Sequence, residues 1–556
     1  MPEMDETFDF VVVGSGGGSM CAALVMRKAG KSVLILEKTD LVGGSTAKAG
    51  GVMWIPNNRF MAPDGVEDSY EKATAYLDSV VGDHDDAPGA TRERRQAYLR
   101  EAPAMVDFLV GQGIKLRRVQ SWPDYYDERP GGSEPGRTVV AELFNVNELG
   151  DWKGKLRPGG FPLSGPLDEL MQLALFKVSW RARWLMVKTG LRGLSAKLTG
   201  KHWVTAGNAL QGRMLQAALK ADVAIRTDSG VKALIVEDGA VTGVATTRDG
   251  REWRVGARLG VLLNAGGFSH NQALRDKYIP HTRTEWTHAA PGDTGDMHLE
   301  LMRIGAAMAQ MEEMVGNQMT LPPGAGPQGI QMQLAKPNAF LADQSGQRYM
   351  NEGGSYMAFC QGMLARHETV PAVPSWMVMD SRFLRTYMLA NSMPGTSKPK
   401  AWLDEGYLRK GATIEALASA CGMDPGKLKA TTERFNGFAR QGRDEDFHRG
   451  DRAYDRWLGD YTHQPSAALG PVDEAPFYAV PVVPGDVGTY GGVVTDAYAR
   501  VLREDGSVIA GLYATGTTTA SVMGHAYPGA GCSIGPAFTW GYVAAKQAAN
   551  IGNQPA

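Results

Sequence analysis

The sequence predicts an α/β fold: a Rossmann-like nucleotide-binding domain interrupted by an inserted α+β domain that caps it. Three observations predict this. A short apolar run at 8–13 stops at a glycine cluster, leads into a helical segment, and is followed by a second apolar run at 32–36 ending in Glu37. Near the far end, at 508–516, a strand again enters a glycine turn, with an apolar helix after it. The long stretch between is mixed and free of repeats, so the nucleotide domain is expected at 1–311 and 488–556, with the insertion at 312–487.

The 8–13 run is too short for a helix and reads as a buried parallel strand. Gly14-Ser15-Gly16-Gly17-Gly18-Ser19 follows, then a helical segment to about Ala29. Gly14 permits the tight turn, and Gly16 lets backbone approach a pyrophosphate. The helix N-terminus supplies N–H donors and the positive end of its dipole. Glu37 ends the second strand, where an acid can accept from a ribose hydroxyl. The third glycine of the dinucleotide fingerprint is replaced by Ser19, a departure small enough to keep helix–strand packing.

A second loop of small residues comes directly after the acid: Lys38, then Gly43-Gly44-Ser45-Thr46, then Gly50-Gly51. A nicotinamide dinucleotide has no need of it. A larger cofactor lying across the sheet does, which predicts FAD.

Later pieces complete the same domain. A hairpin is expected at 229–244 around Asp238-Gly239, placing Val231 at the cofactor, and a strand at 259–264 runs into Ala265-Gly266-Gly267. Asp296 opens a helix expected to reach about Ala307. At the far end Gly516 closes a strand, and Ser533 and Ile534 precede Pro536, a residue tolerated in a first helical turn. That helix start could stabilise negative charge on a reduced flavin ring.

Composition bounds the function. Of 556 residues 43% are apolar and 21% charged, which excludes disorder. The 69 glycines exceed the ordinary share of about 7% and cluster without a period, as expected where backbone meets a ligand. With 58 basic and 60 acidic residues, no nucleic acid partner is expected. Cys21, Cys360, Cys421 and Cys532 have neither metal-ligand nor redox spacing, so no metal site is expected. No signal peptide and no membrane-spanning run is legible, so the expected location is the cytoplasm.

Residues 171–203 stand apart. They hold Lys177, Arg181, Arg183, Lys188, Arg192, Lys197 and Lys201 without an acid, interleaved with Phe176, Trp180, Trp184 and Trp203. One reading is a basic amphipathic element making peripheral contact with the anionic inner face of the cell membrane. The other is a solvated helical pair with a buried aromatic stripe.

On further motifs the chain resembles the 3-ketosteroid Δ1-dehydrogenases, within the wider succinate dehydrogenase/fumarate reductase flavoprotein group. These motifs are Gly43-Gly44-Ser45-Thr46 with Trp54-Ile55-Pro56-Asn57-Asn58, Asp124-Tyr125-Tyr126 before Pro130-Gly131-Gly132, and Gly266-Gly267-Phe268 with Asn271. Pro484-Gly485-Asp486 with Gly491-Gly492, and Gly524-His525-Ala526-Tyr527-Pro528-Gly529-Ala530-Gly531, complete the set. The resemblance spans nearly the whole chain.

It implies non-covalent FAD and desaturation of the C1–C2 bond of a 3-oxosteroid, with an unidentified electron acceptor. By resemblance, Tyr527 and the Gly531 N–H hold the C3 carbonyl oxygen. Tyr356 removes a C2 proton, and flavin N5 takes hydride from C1. Tyr125 supports the base, being directly after the aspartate, with Tyr126 left open. Residue chemistry agrees with this. A C2 hydrogen lies alpha to a carbonyl, and a phenol with a backbone N–H makes an oxyanion-type site. An ordinary phenol has a pKa of about 10, so a second phenol donating to the base would favour its ionised form. His525 reads as a local hydrogen-bonding residue rather than a base, and Tyr490 as a candidate pocket residue.

Three rivals remain. A 3-ketosteroid Δ4-(5α)-dehydrogenase would share cofactor and carbonyl clamp. A fumarate-reductase-like enzyme needs cations for two carboxylates, and Tyr527-Pro528-Gly529-Ala530 carries no Arg. A flavin-retaining protein without turnover would show no bleaching by any steroid.

Overall fold

A computed structural model describes residues 3–161 and 163–551; the outermost parts of the expected nucleotide-domain segments, 1–2 and 552–556, lie outside the described residues. The nucleotide domain is built on an eight-stranded sheet. Its central strand, Glu6–Val13, pairs in parallel with Val33–Leu36 on one side and Arg251–Leu263 on the other. Val508–Ala514 pairs in parallel beyond Arg251–Leu263, and Ala224–Arg226 beyond Val33–Leu36. Phe10, Val11 and Val12 are fully buried, as a strand covered on both faces requires. The strand expected at 259–264 starts earlier, at Arg251, because its first half also pairs antiparallel with Ala240–Arg248. The hairpin lies at Ala233–Glu237 and Ala240–Arg248. The helix opened by Asp296 stops at Arg303, short of 307.

Four neighbouring parallel strands end together, at Gly14, Glu37, Asn264 and Thr515, so their carboxyl ends form one edge. A ligand crevice is expected there. Helix Gly17–Lys28 packs on helix Ile534–Ala548. A Cβ on Gly17 would lie 1.8 Å from Phe538, and one on Gly18 would lie 2.3 Å from the Ala537 carbonyl oxygen. These glycines allow the two helices to touch.

Within the region expected to be inserted, Met314–Thr320, Ala339–Ala342, Ser375–Met379 and the long strand Phe477–Thr489 form an antiparallel sheet. Helices Tyr356–His367, Ile414–Cys421 and Pro425–Gln441 accompany it. A small sheet of Val52–Trp54, Thr138–Ala141 and Leu116–Arg118, with helices Tyr70–Val80 and Arg92–Gly111, carries the Asp124-Tyr125 segment.

In the basic segment, helix Trp180–Leu198 leaves its aromatics outside: Trp180 is 81% exposed and Trp184 64%. A buried aromatic stripe is therefore not what forms. Small inward residues, Ala182 among them, dock the helix, and Leu175 and Ala182 join the apolar core of the inserted sheet. Among the described residues no helix is long and apolar enough to cross a membrane.

Candidate active site

The crevice at the strand ends is a cleft of about 1200 Å³, its mouth included. Of the expected cofactor residues, Gly14, Ser15, Gly16, Glu37, Lys38, Gly44, Ser45, Thr46, Val231, Ala265, Gly266, Asp296, Gly516, Ser533 and Ile534 line it. Gly14 has φ +91°, and a Cβ there would lie 2.2 Å from the Asn264 carbonyl oxygen. Gly16 caps helix Gly17–Lys28, whose first turn has no acid, so its free N–H groups face an anion without competition. Helix Ile534–Ala548 opens at the cleft with no acid in its first turn either.

Two hydroxyls tie the glycine loops together. Ser15 Oγ donates to Glu37 Oε2 at 2.5 Å and accepts from the Gly43 N–H at 2.9 Å. Ser45 Oγ donates to Asp293 Oδ2 at 3.1 Å and accepts from the Ala290 N–H. Burial pushes Asp293 up to about 7. Lys38 spans to Asp296 at 2.6 Å.

The remaining expected cofactor residues do not line the cleft; they shape it. Gly17 and Gly18 serve helix packing. Ser19 Oγ accepts from Asn264 Nδ2 at 2.9 Å, the role a side chain takes where the fingerprint has glycine. Gly43 has φ +112°, Gly50 packs near Leu167, and a Cβ on Gly51 would lie 2.3 Å from the Gly207 nitrogen. Sequence reasoning missed Asn264, Asp293 and Arg157 on the cleft wall. Asn264 ends a recognisable strand, and that was its available signal.

A cluster of tyrosines stands at the Ser533 end. The Tyr527 hydroxyl lies 3.0 Å from Ser533 Oγ. The Tyr356 and Tyr527 rings are 4.9 Å apart between centroids, Tyr125 and Tyr356 5.5 Å, and Tyr125 and Tyr527 5.9 Å. Tyr490 flanks Tyr527 at 5.8 Å. Tyr126 is outside this group: the Arg452 guanidinium lies 5.1 Å over its ring. Tyr454, which the sequence did not suggest, stacks on Tyr125 at 4.1 Å, and its hydroxyl accepts from Gln331 Nε2 at 2.8 Å.

The loop bearing Tyr527 is fixed from below. Pro528 O accepts from the Tyr125 N–H at 2.9 Å and from the Tyr76 hydroxyl at 2.6 Å. Asp124, beside Tyr125, meets Arg137 at 2.7 Å and Trp54 Nε1 at 2.8 Å. Gly531 has φ +101°, with Val52 O only 2.4 Å from where a Cβ would be. Among the described residues its N–H makes no hydrogen bond.

Burial governs the phenols. It pushes Tyr527 up to about 12, moderated by Ser533. It pushes Tyr356 well above the ordinary phenol value, and the neighbouring phenols Tyr125 and Tyr527 push further. The expected lowering of Tyr356 by a partner phenol is not what the pocket does.

Comparison with known proteins identifies the chain. The FAD binding domain family matches residues 9–534. A 3-oxosteroid 1-dehydrogenase of Mycobacterium tuberculosis is 40% identical, over 98% of this chain and 99% of that protein. The chain belongs to the FAD-binding flavoprotein family of the 3-oxosteroid 1-dehydrogenases. A 3-oxosteroid 1-dehydrogenase of Mycolicibacterium smegmatis is 39% identical to this flavoprotein, over 97% of each chain. The crystal structure of the 3-ketosteroid Δ1-dehydrogenase of Sterolibacterium denitrificans, in complex with 1,4-androstadiene-3,17-dione, superposes with a TM-score of 0.91. It is 35% identical and covers 98% of this chain and all of its own. The cofactor of this flavoprotein is FAD, and the glycine-walled cleft with two acid-free helix starts fits it.

Proposed function

We propose that the protein introduces a double bond between C1 and C2 of a 3-oxosteroid, with Tyr527, Gly531, Tyr356 and Tyr125 carrying the chemistry. The observation that supports this most is the clustering of three phenols, one of which, Tyr527, reaches Ser533 on the wall of the cofactor cleft. Glycine-loop residues and the Ile534–Ala548 helix start hold FAD, which when bound supplies the hydride acceptor for C1. Turnover needs an external electron acceptor.

The C3 carbonyl oxygen sits between the Tyr527 hydroxyl and the free Gly531 N–H. Both donors become stronger partners as charge grows on that oxygen, so they favour the transition state over the ground state. Tyr527, held to about 12, is matched to an enolate oxygen better than the more strongly raised Tyr356.

Tyr356 accepts the C2 proton. Since burial disfavours a standing phenolate, its own proton moves on as the C2 proton arrives. Tyr125 stands next in line and then Tyr454, from which the proton passes to solvent; Gln331 Nε2 donates to the Tyr454 oxygen and so steadies charge there rather than taking the proton. Tyr126, turned toward Arg452, has no part in this path.

An anaerobic assay tests the reading. Holoenzyme mixed with androst-4-ene-3,17-dione should bleach its flavin and yield the 1,4-diene. Bleaching by the 5α-reduced steroid alone, with a 4-ene product, would move the activity to the Δ4-(5α) alternative.

Helix Trp180–Leu198 supports peripheral membrane contact. Trp180, Trp184, Val187, Leu191, Leu194 and Leu198 recur every three or four residues, on one exposed face. Arg181, Lys197 and Lys201 flank it without an acidic partner among the described residues. This face seats on an anionic bilayer, which suits a protein whose substrate is a sterol-like lipid. Phosphatidylserine vesicles should retain wild type and release Trp180→Glu/Leu191→Glu. Equal partitioning of both, or self-association through this helix, would sink the assignment.

A further inference from the structure

Tyr527 and Tyr356 reach the pocket from different parts of the chain. Tyr527 lies on the loop before the last helix. Tyr356 is the first residue of helix Tyr356–His367, beside the inserted sheet. Their rings sit 4.9 Å apart, and one buried carboxylate joins the two carriers.

That carboxylate is Glu313, directly before strand Met314–Thr320 and 8% exposed. Its Oε1 accepts from His525 Nδ1 at 2.8 Å, two residues from Tyr527. Its Oε2 accepts from Gln361 Nε2 at 2.9 Å, on the helix that Tyr356 begins. Gln361 Nε2 also donates to the His525 carbonyl at 2.9 Å. Glu313 O accepts from the Tyr490 N–H at 2.8 Å. Three residues earlier, Gln310 Nε2 donates to Ser521 O and Gly524 O, both at 3.2 Å.

Resting on the proposed reaction, we infer that Glu313 is a positioning residue that sets the spacing of Tyr527 and Tyr356 by binding His525 on one side and Gln361 on the other. It touches no reacting atom. His525 serves it as a cation rather than as a base. The groups facing the imidazole are Glu313, Asp86 at 3.3 Å, Glu312 at 4.0 Å, and the His84 ring at 6.0 Å between centroids. The three carboxylates favour the imidazolium. The hydrogen bond to Glu313 is the largest of these influences, and it raises His525 to about 9.

The node therefore has a pH signature. It is intact below about pH 9 and loosens as His525 loses its proton. A carboxylate that merely filled space would leave no such mark.

The test uses FAD-loaded Glu313→Gln and His525→Gln. Glu313→Gln should slow anaerobic flavin bleaching roughly tenfold to a hundredfold, the scale of a small misplacement of reacting groups. Its FAD content should stay at the wild-type level. The alkaline fall in rate, near pH 9 in wild type, should move toward the ordinary imidazole range of about 6.5. His525→Gln should lose that limb altogether. The double variant should be no slower than Glu313→Gln, since the two act as one unit.

Wild-type rate and limb in Glu313→Gln, or additive losses, would overturn the inference. If Glu313→Gln does not fold, His525→Gln decides alone: a limb persisting near pH 9 overturns it. Titration of 15N-histidine-labelled holoenzyme without steroid separates this from the activity. His525 should titrate near pH 9 in wild type and lower in Glu313→Gln, whether or not any steroid bleaches the flavin; an ordinary wild-type value overturns the inference.

Discussion

The Tyr527 hydroxyl lies 3.0 Å from Ser533 Oγ, and Ser533 is also a wall of the cofactor cleft. One serine thus borders both the cofactor cleft and the phenol proposed to hold the carbonyl. On the proposed reading, carbonyl polarisation and hydride acceptance are registered through it. Tyr527→Phe keeps the ring and removes the donor, so the bleaching rate should fall about 10²–10³-fold, the usual cost of one oxyanion donor. FAD content should not change. Ser533→Ala should cost less, about tenfold, because the phenol survives but loses its orienting partner. Rapid-mixing measurements on holoenzyme check both.

The phenols of the Asp124-Tyr125-Tyr126 segment should separate cleanly. Tyr356→Phe should abolish bleaching within detection. Tyr125→Phe should slow it by about 10²-fold, within the usual range for a group assisting proton transfer. Tyr126→Phe should stay within about twofold of wild type, because its ring faces Arg452. A Tyr126 loss as large as that of Tyr125 would refute the path through Tyr125 and Tyr454. Steady-state assays with an artificial electron acceptor suffice.

The nucleotide fold was legible because its signals are local: apolar runs ending at Gly14, Glu37 and Gly516 each mark a strand end. Ser19 shows the limit, since a bond to Asn264 replaced the expected glycine contact. The tyrosine site was not legible from spacing. Tyr125, Tyr356 and Tyr527 lie on three stretches far apart in the sequence, and only a family resemblance gathered them. Tyr454 escaped because nothing beside it in sequence marks it; its stack on Tyr125 exists only in the folded chain. Helix Trp180–Leu198 fails differently. Bases interleaved with aromatics suggested an amphipathic element, yet whether another element covers its apolar face is a tertiary fact.

Two glycines of the cofactor region should behave in opposite ways. At Gly266, φ is +78° and a Cβ would lie 2.2 Å from Asp293 Oδ1, so Gly266→Ala should strain the backbone and push into the cleft. The ratio of flavin to protein absorbance should drop sharply. Gly17 has ordinary φ, and its Cβ would strike Phe538 of the C-terminal helix. Gly17→Ala should cost about 1–3 kcal/mol of stability by overpacking, seen as a lower Tm, with FAD retained by the folded fraction. Absorbance spectra and thermal melts on both variants distinguish close approach to cofactor from close approach of helices.

Stability should also follow the charge on His525. Its folded-state value, about 9, is raised above the ordinary imidazole value, principally by the hydrogen bond to Glu313. A raised base contributes stability that is complete below its unfolded pKa, about 6.5, and is lost as pH rises through the folded value. The difference in Tm between wild type and His525→Gln should therefore be largest near pH 6, shrink from pH 7 upward, and be smallest above pH 9. The partial exposure of the ring keeps the effect modest and salt-sensitive. Lysine and tyrosine titration at high pH is common to both proteins, so it cancels in the comparison. A difference that is constant from pH 6 to pH 10 would mean that folding leaves the imidazole's pKa where it stands in the unfolded chain.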